Sequence, residues 1–205
     1  MQSRLPVVLA ISAASSSIYG VRTLEFLLKN NFPTELIISE NAYYIINQEL
    51  NIELEHDKQL IRKKILGYLG IDKDCDLLRV WLNDELWASP SSGSYKISGM
   101  IISPASMSTV ASIASGLSSN LIERAADVAI KEGKKLVIVP RETPFSVIHL
   151  ENMLKLSKMG VKIVPPIPGF YTKIQTVDDI INFAVGKTLD VFGIDNDLYK
   201  RWKHE

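Results

Sequence analysis

The sequence has a single cysteine, Cys75, among its 205 residues, so no disulfide can form within the chain. A reducing compartment such as the cytoplasm is therefore the expected location. The charge is balanced, with 23 Lys and Arg against 23 Asp and Glu, which gives no electrostatic reason to expect binding to nucleic acid or to a membrane surface. No apolar run approaches the roughly 18 residues that a membrane span requires. These absences predict a soluble cytoplasmic protein.

Three common chemical motifs are absent as well. His56, His149 and His204 are far apart and lack metal-ligand spacing, which predicts that the protein holds no zinc or iron. The glycine fingerprint GxGxxG is missing, so ordinary dinucleotide binding has little support. A GxSxG nucleophile elbow is missing too, which argues against Ser-His-Asp hydrolysis.

The sequence does contain short β-branched runs that alternate with stretches of helical periodicity, the pattern of a parallel sheet flanked by helices. Predicted strands cover residues 7–11, 35–38, 99–103, 136–139 and 161–164; predicted helices cover residues 19–30, 41–48, 107–114, 121–131, 147–158 and 177–189. Ser146 and Thr176 are expected helix caps. Residues 53–95 are charged and weakly periodic, and we interpret them as an excursion from the sheet that ends in a mobile or site-forming loop. The predicted fold is a single α/β domain, residues 1–205, a Rossmann-like (flavodoxin-like) three-layer sandwich with a mostly parallel sheet.

Hydroxyl-rich segments follow two of the predicted strands. Ser12, Ser15, Ser16 and Ser17 come after the first strand, and residues 103–109 continue the third strand into a helix. Small side chains at a helix start allow a phosphate to approach free N–H groups, although such serines can also serve only as caps. Because both segments fall at carboxyl ends of strands, they predict a ligand site at one rim of the sheet.

Charged and aromatic candidates lie further along the chain. Arg124 and Lys131 are seven residues apart and share a helix face, so they could hold a phosphate, or lie on a solvated face with Asp127 offsetting their charge. Arg141 and Glu142 follow a strand directly: Glu142, held near cations, could accept or donate a proton, or the two residues could form a structural ion pair. Tyr171 ends a proline-rich loop, where it either presents its hydroxyl or simply packs.

A longer string of residues is more specific than any of these candidates. It runs through residues 120–128 and 131–132, then 139–145 and 149–154, and ends in the prolines at 165–166 and the Gly-Phe-Tyr at 169–171. In order and spacing this string resembles the UbiX-type flavin prenyltransferases, a family long described as aromatic-acid decarboxylases. The resemblance extends over nearly the whole chain.

The resemblance implies a Rossmann-like enzyme that joins the dimethylallyl group of dimethylallyl monophosphate to N5 and C6 of reduced FMN without a metal. It further implies a homododecamer with sites between subunits, and a product that a UbiD-type decarboxylase uses, in many bacteria for ubiquinone synthesis. The donor could instead be the diphosphate.

By position, the resemblance assigns residues to three roles. The flavin would be bound by Ala13, Ala14, Ser15, Ser39, Ser106, Met107, Ser108, Thr109 and Arg141. The prenyl phosphate would be bound by Ser92, Gly93, Arg124, Lys131, Tyr171 and Lys187. The catalytic residues would be Glu142, Ser15, Lys131 and Trp87, with Leu86 as the alternative to Trp87 because the spacing there is one residue short.

Two further departures concern Ala13 and Ser16, which replace family glycines, and Lys187, which stands where an Arg is common. The first departure requires the local backbone φ to stay negative; the second keeps the charge but loses the bidentate fork. Two other functions stay open. A related flavin-dependent decarboxylase usually needs a histidine in the first helix, and residues 15–28 contain none. A catalytically impaired FMN-binding subunit is the remaining alternative.

Overall fold

Six strands form one parallel sheet in the computed structural model, which describes residues 4–202. The strands are β1 Val7–Ile11, β2 Thr34–Ile38, β3 Leu78–Leu82, β4 Gly99–Ala105, β5 Lys135–Pro140 and β6 Lys162–Ile163. They lie in the order β3-β2-β1-β4-β5-β6, and every neighbouring pair is parallel. This arrangement confirms the predicted α/β class with its parallel sheet.

Seven helices connect the strands within the described residues. They are α1 Ile18–Lys29, α2 Glu40–Leu50, α3 Lys58–Tyr68, α4 Met107–Ala114, α5 Leu121–Lys131, α6 Val147–Lys158 and α7 Val177–Phe192, with 3₁₀ turns at Ser89–Ser91 and Phe170–Thr172. The two predicted caps are confirmed, because the Ser146 hydroxyl accepts from His149 N and the Thr176 hydroxyl accepts from Asp179 N, both at 3.2 Å. Each cap satisfies an N–H group that the first helical turn leaves free.

The sheet is covered on both faces, which explains why its strands are apolar throughout. Val7, Leu9 and Ile11 point into a cluster that includes residues of α1, α3 and α7. Val8 and Ala10 point the other way, into a cluster built with α4, α5 and α6. Successive side chains of a strand face opposite sides, so one five-residue strand serves two cores and the molecule has three layers.

The expectation that residues 53–95 leave the sheet is wrong for the first two thirds of that stretch. It forms α3 and then β3, which pairs with β2 so that Val80 lies opposite Leu36. β3 is an edge strand in which Leu78 and Val80 are buried while Arg79 is exposed. Its short alternation is hard to distinguish from a charged loop until the pairing with β2 is known.

Candidate functional site

The carboxyl ends of β1 and β4 form the rim at which a ligand site is expected. The chain turns from β1 toward β2 on one side and from β4 toward β5 on the other, which opens a crevice between the two connections. Buried Ser12 joins the two loops: its hydroxyl donates to Pro104 O at 3.2 Å and accepts from Ser106 N at 2.8 Å. The two serine-rich segments therefore lie side by side, as predicted.

A cavity of about 550 Å³ opens at this rim. Five of the residues predicted to bind flavin line it: Ala13, Ser39, Ser106, Ser108 and Thr109. Its opposite wall includes Asn83, Asp84, Asn120 and Glu123, which the sequence did not single out. The volume and the mixture of small, hydroxyl and amide side chains suit a cofactor-sized ligand.

Two buried polar atoms beside this rim have no hydrogen-bond partner in the described chain: Ser39 Oγ and Arg141 Nε. Ser39 precedes α2 without capping it, so its hydroxyl is available to a ligand. Arg141 is held by its own backbone, since its N–H donates to Ala105 O at 3.1 Å. Buried polar groups are almost always paired in folded proteins. Both residues belong to the predicted flavin set, and their free donors fit the polar edge of a flavin.

The start of α4 supplies a third group of donors. Ser106 Oγ accepts from Thr109 N at 3.2 Å and lies 3.0 Å from Thr109 Oγ1, which fixes both side chains. Ser108, between them, is exposed to the cavity. Ala14 and Met107, the two other neighbours in the predicted set, are buried and support the loops from beneath.

Glu49 organises the first loop, and sequence reasoning missed it. Its Oε1 accepts from Ser15 Oγ at 2.7 Å and from Ser16 N at 2.8 Å, while Oε2 accepts from Ser17 N at 2.8 Å and Ser17 Oγ at 2.7 Å. Burial raises the pKa of Glu49, and the hydrogen bonds from Ser17, Ser16 and Ser15 lower it by more, so this pKa lies below its ordinary value. No spacing rule connects a residue at the end of α2 with a loop more than thirty positions earlier.

The same loop corrects one expectation about the replaced glycines. Ser16 has a φ of +72°, in the left-handed region, whereas a negative value was expected. Left-handed backbone costs a non-glycine residue on the order of 1–2 kcal/mol. The bond from Ser16 N to Glu49 helps to hold this conformation. Gly20, one turn later, is needed for space: a Cβ there would lie 2.1 Å from Ser103 O, so α1 packs directly on β4.

Three residues predicted to bind the prenyl phosphate converge at a second place. A Cβ on Gly93 would lie 2.9 Å from Lys131 Nζ and 2.5 Å from Glu132 Oε1, so the loop backbone rests on that pair. Lys131 Nζ lies 2.5 Å from Glu132 Oε1, and the hydroxyls of Ser92 and Ser94 are 3.0 Å apart. A small loop beside a lysine suits the recognition of a phosphate ester.

This second place is separated from the cavity within one protomer. Glu123 lines the cavity near the start of α5, and Lys131 ends the same helix. Eight residues of helix span roughly 12 Å. The two predicted subsites therefore lie toward opposite ends of α5.

The remaining predicted residues lie on the outer surface and do not line the cavity of this protomer. Arg124 pairs with Asp127 at 3.1 Å, as the solvated-face alternative allowed. Tyr171 packs edge-on against Phe183 and Trp202, with ring centroids 6.0 and 5.3 Å away. Glu142 is exposed and accepts from Thr143 N at 3.0 Å, and Lys187 is half-buried on α7. Trp87 and Leu86 are both exposed, with 78% and 43% of their surface accessible, so the aromatic assignment stays a prediction.

The histidines have structural neighbours that the sequence did not reveal. His56 lies between Glu40 and Asp84, with a 3.2 Å contact to each, and the ligand atoms of all three lie within 4.8 Å of one another. The two carboxylates belong to the cavity rim. His149 accepts from Ser146 N in the capping box of α6, and His204 lies outside the described residues. In the described part of the chain, no helix combines the length and the apolar content needed to cross a bilayer.

Comparison with known proteins agrees with this geometry. The Flavoprotein family model matches residues 1–189. The flavin prenyltransferase UbiX of Methanocaldococcus jannaschii is 45% identical over 198 residues, which cover 97% of this chain and 98% of that protein.

Two crystal structures are also similar over almost the full length. One is AnUbiX (PadA1) in complex with FMN and dimethylallyl pyrophosphate, with a TM-score of 0.87 and 36% identity over 98% of this chain and 99% of the other. The other is a dodecameric FMN-dependent UbiX-like decarboxylase from Escherichia coli O157:H7, with a TM-score of 0.85 and 37% identity over 98% and 100% of the two chains. The chain belongs to the UbiX-type flavin prenyltransferases within the Flavoprotein family.

Proposed function

We propose that this chain joins the dimethylallyl group of dimethylallyl monophosphate to N5 and C6 of reduced FMN. The observation that carries the proposal is the rim cavity, lined by Ser39, whose buried hydroxyl has no partner in the described chain, as is also true of the buried Arg141 Nε nearby. The protein is 45% identical to a flavin prenyltransferase. The structurally similar AnUbiX protein was crystallised with FMN and dimethylallyl pyrophosphate. The predicted flavin residues in the two loops bind and orient the FMN.

The reaction breaks the bond between the allylic carbon and the phosphate oxygen while a new bond to flavin N5 forms. Formation of the N5 bond releases the N5 proton. Ring closure then adds a proton to the prenyl double bond, forms the bond to flavin C6 and releases the C6 proton, so the closure consumes and returns one proton. Negative charge grows on the departing oxygen, so cations and N–H donors placed there lower the barrier. Lys131, Arg124 and Lys187 supply the charge, and Tyr171 and the loop at Ser92 and Gly93 supply further donors. Glu142 donates and accepts the protons of the ring closure. Trp87 or Leu86 faces the allyl group.

The complete site forms between subunits. The cavity and Lys131 lie toward opposite ends of α5, so a neighbouring protomer must bring its own phosphate-binding residues to this cavity. Large apolar side chains are available for such contacts, because Val147, Ile148, Ile167 and Phe170 are 66–78% exposed. The similar E. coli protein is dodecameric, and we assign the same assembly to this chain.

The product serves a UbiD-type decarboxylase, in ubiquinone synthesis where the host makes ubiquinone, and the protein acts in the cytoplasm without a metal. Product transfer to a second enzyme follows from the chemistry, because the protein gives up its flavin as a modified molecule rather than regenerating it.

The deciding experiment is anaerobic incubation with FMN, dithionite and dimethylallyl monophosphate, followed by mass analysis of the flavin. We expect a flavin that carries the added five-carbon group, and parallel reactions with the diphosphate identify the donor. A flavin of unchanged mass with both donors would refute the proposal and favour a catalytically impaired FMN-binding subunit. Carbon dioxide release from a peptide with a C-terminal cysteine would favour the decarboxylase instead.

A second experiment tests the proton-handling residue. Glu142→Gln should retain FMN but slow product formation about 100-fold, within the range that a general acid or base contributes. Glu53→Gln is the matched control, since the Glu53 side chain is exposed and makes no hydrogen bond within residues 4–202. Equal turnover of the two variants would remove Glu142 from its proposed role.

A further inference from the structure

Glu35 is a buried carboxylate that belongs to neither predicted subsite. It is the second residue of β2, is only 4% exposed, and lies between Val8 of β1 and Arg79 of β3 in the sheet. Such a group is costly to bury unless hydrogen bonds satisfy it. Its position in the middle layer therefore calls for specific partners.

Two donors and one cation surround the Glu35 carboxylate. Trp81 Nε1 donates to Oε2 at 2.5 Å, and Tyr95 Oη donates to Oε1 at 2.6 Å. Arg79 Nη1 lies 3.5 Å from Oε1. Trp81 and Arg79 belong to β3, the strand paired with β2, whereas Tyr95 belongs to the loop that leads from the 3₁₀ turn at Ser89–Ser91 toward β4. The Tyr95 bond thus ties the sheet to that loop.

Tyr95 remains a donor over the working pH range. Burial and, after it, the hydrogen bond to Glu35 together raise the pKa of Tyr95 to about 12. A phenol with so high a pKa keeps its proton at neutral pH, so the contact persists.

The loop that Tyr95 anchors carries the residues assigned to the prenyl phosphate. Tyr95 N donates to Ser92 O at 3.2 Å, which closes a turn around Gly93. Gly93 in turn rests against Lys131 and Glu132, with no room for a side chain. The tyrosine therefore fixes the segment from one end while α5 supports it from the other.

We propose that Glu35 is a positioning residue, which acts through the Tyr95 hydroxyl to hold the backbone at Ser92 and Gly93 against Lys131, in the geometry that grips the prenyl phosphate. The inference rests on the proposed function and deepens it. Neither Glu35 nor Tyr95 lines the rim cavity. Without the hydrogen bond from Tyr95 to Glu35, the loop must become ordered each time the ester binds. The entropy lost in that ordering lowers the affinity for the ester.

Tyr95→Phe removes the hydroxyl and keeps the ring. We expect KM for dimethylallyl phosphate to rise about tenfold, as loss of about 1.4 kcal/mol of binding predicts. kcat at saturating ester and the Kd for FMN should stay within about twofold of the unaltered protein, because the flavin cavity lies toward the other end of α5. Steady-state product formation and FMN fluorescence quenching measure these quantities.

Trp81→Phe is the matched control, because it removes the other donor to the same carboxylate without touching the loop. It should leave KM for the ester within about twofold. Glu35→Gln keeps an acceptor for Tyr95 and should retain most of the ester affinity that Glu35→Ala loses. Should Tyr95→Phe fail to fold, the Glu35→Gln and Glu35→Ala pair carries the same test.

An unchanged KM in Tyr95→Phe, or an equal rise in Trp81→Phe, would overturn the positioning role. A parallel loss of FMN affinity would also overturn it, since a general loss of structure would then explain both effects. These results differ from failure of the proposed function, in which the unaltered protein itself forms no prenylated flavin.

Discussion

Glu49 accepts four hydrogen bonds from Ser15, Ser16 and Ser17, and the effect of removing its charge can be worked out from them. Glu49→Gln replaces one carboxylate oxygen by an NH₂ group, which donates and cannot accept. The two oxygens accept from different backbone N–H groups, those of Ser16 and Ser17, so either orientation of the amide leaves one N–H facing another donor. A serine hydroxyl can rotate to accept from the amide, but a backbone N–H cannot adapt in this way.

The expected loss follows from the kind of bond removed. A hydrogen bond to a charged group contributes about 1.5–3 kcal/mol, and the exposure of Glu49 places the effect at the low end, about 1–2 kcal/mol. The pKa of Glu49 is lowered in the folded protein, so its contribution is present above the ordinary value of 4.5 and is lost as the pH falls through the folded pKa. The stability difference between the unaltered protein and Glu49→Gln should therefore be constant near pH 7 and shrink below pH 4.5.

Urea unfolding followed by circular dichroism at pH 7, and at intervals down to the lowest pH at which both proteins fold, measures this difference. Glu53→Gln serves as the control, because it makes the same chemical change at an exposed glutamate whose side chain makes no hydrogen bond in the described part of the chain. Equal stability of the two variants at pH 7 would show that the hydrogen bonds of Glu49 do not stabilise the first loop. If the loss of stability in Glu49→Gln stays the same in acid, the charged form of Glu49 is not what stabilises the loop.

Three other perturbations test separate features. Ser16→Gly relieves left-handed backbone strain and should raise the free energy of unfolding by about 0.5–1 kcal/mol in the same assay; a loss of stability would mean that the Ser16 side chain contributes more than its φ costs. Lys131→Ala should weaken the binding of dimethylallyl phosphate about ten- to a hundredfold in titration calorimetry and change FMN affinity less than about threefold. Equal losses of the two affinities would show that the lysine stabilises the fold instead. Asp190→Asn removes the charge and replaces one of the two oxygens that accept from Tyr199 and Arg201 by an NH₂ donor. It should speed proteolytic cleavage of the C-terminal segment above pH 4, since burial raises the pKa of Asp190 while the hydrogen bonds from Arg201 and Tyr199 lower it by more. An unchanged cleavage rate would show that Trp202 packing alone holds the segment.

Local patterns were sufficient for most of the fold. β1 was predicted with its observed bounds, as were α4, α5 and α6, because β1 is a short uninterrupted apolar run and each of the three helices follows a capping residue, Ser106, Asn120 or Ser146. β3 was missed for a physical reason: an edge strand with one exposed arginine gains its stability from pairing with β2, and no local pattern records that partner.

Part of the candidate site could likewise be predicted from local sequence patterns, and part could not. The two serine-rich helix starts could be predicted to share a rim, because carboxyl ends of adjacent parallel strands must meet. The resemblance added Ser39 and Arg141, whose buried donors are free in the structure. The sequence did not single out Glu49 or Asn83, since each reaches the rim from a distant element, and Asn120 entered only as part of the string that carries the resemblance.

By itself, the sequence determined the fold class, the rim that holds the cavity and the family, because hydrophobic period, helix caps and motif order are local properties of the chain. Only the tertiary structure decided that Glu49 holds the first loop, that Glu35 anchors Tyr95, and that the cavity and Lys131 lie toward opposite ends of one helix. The two contacts join residues 33 and 60 positions apart, and their distances follow from how the layers pack rather than from any neighbouring residue.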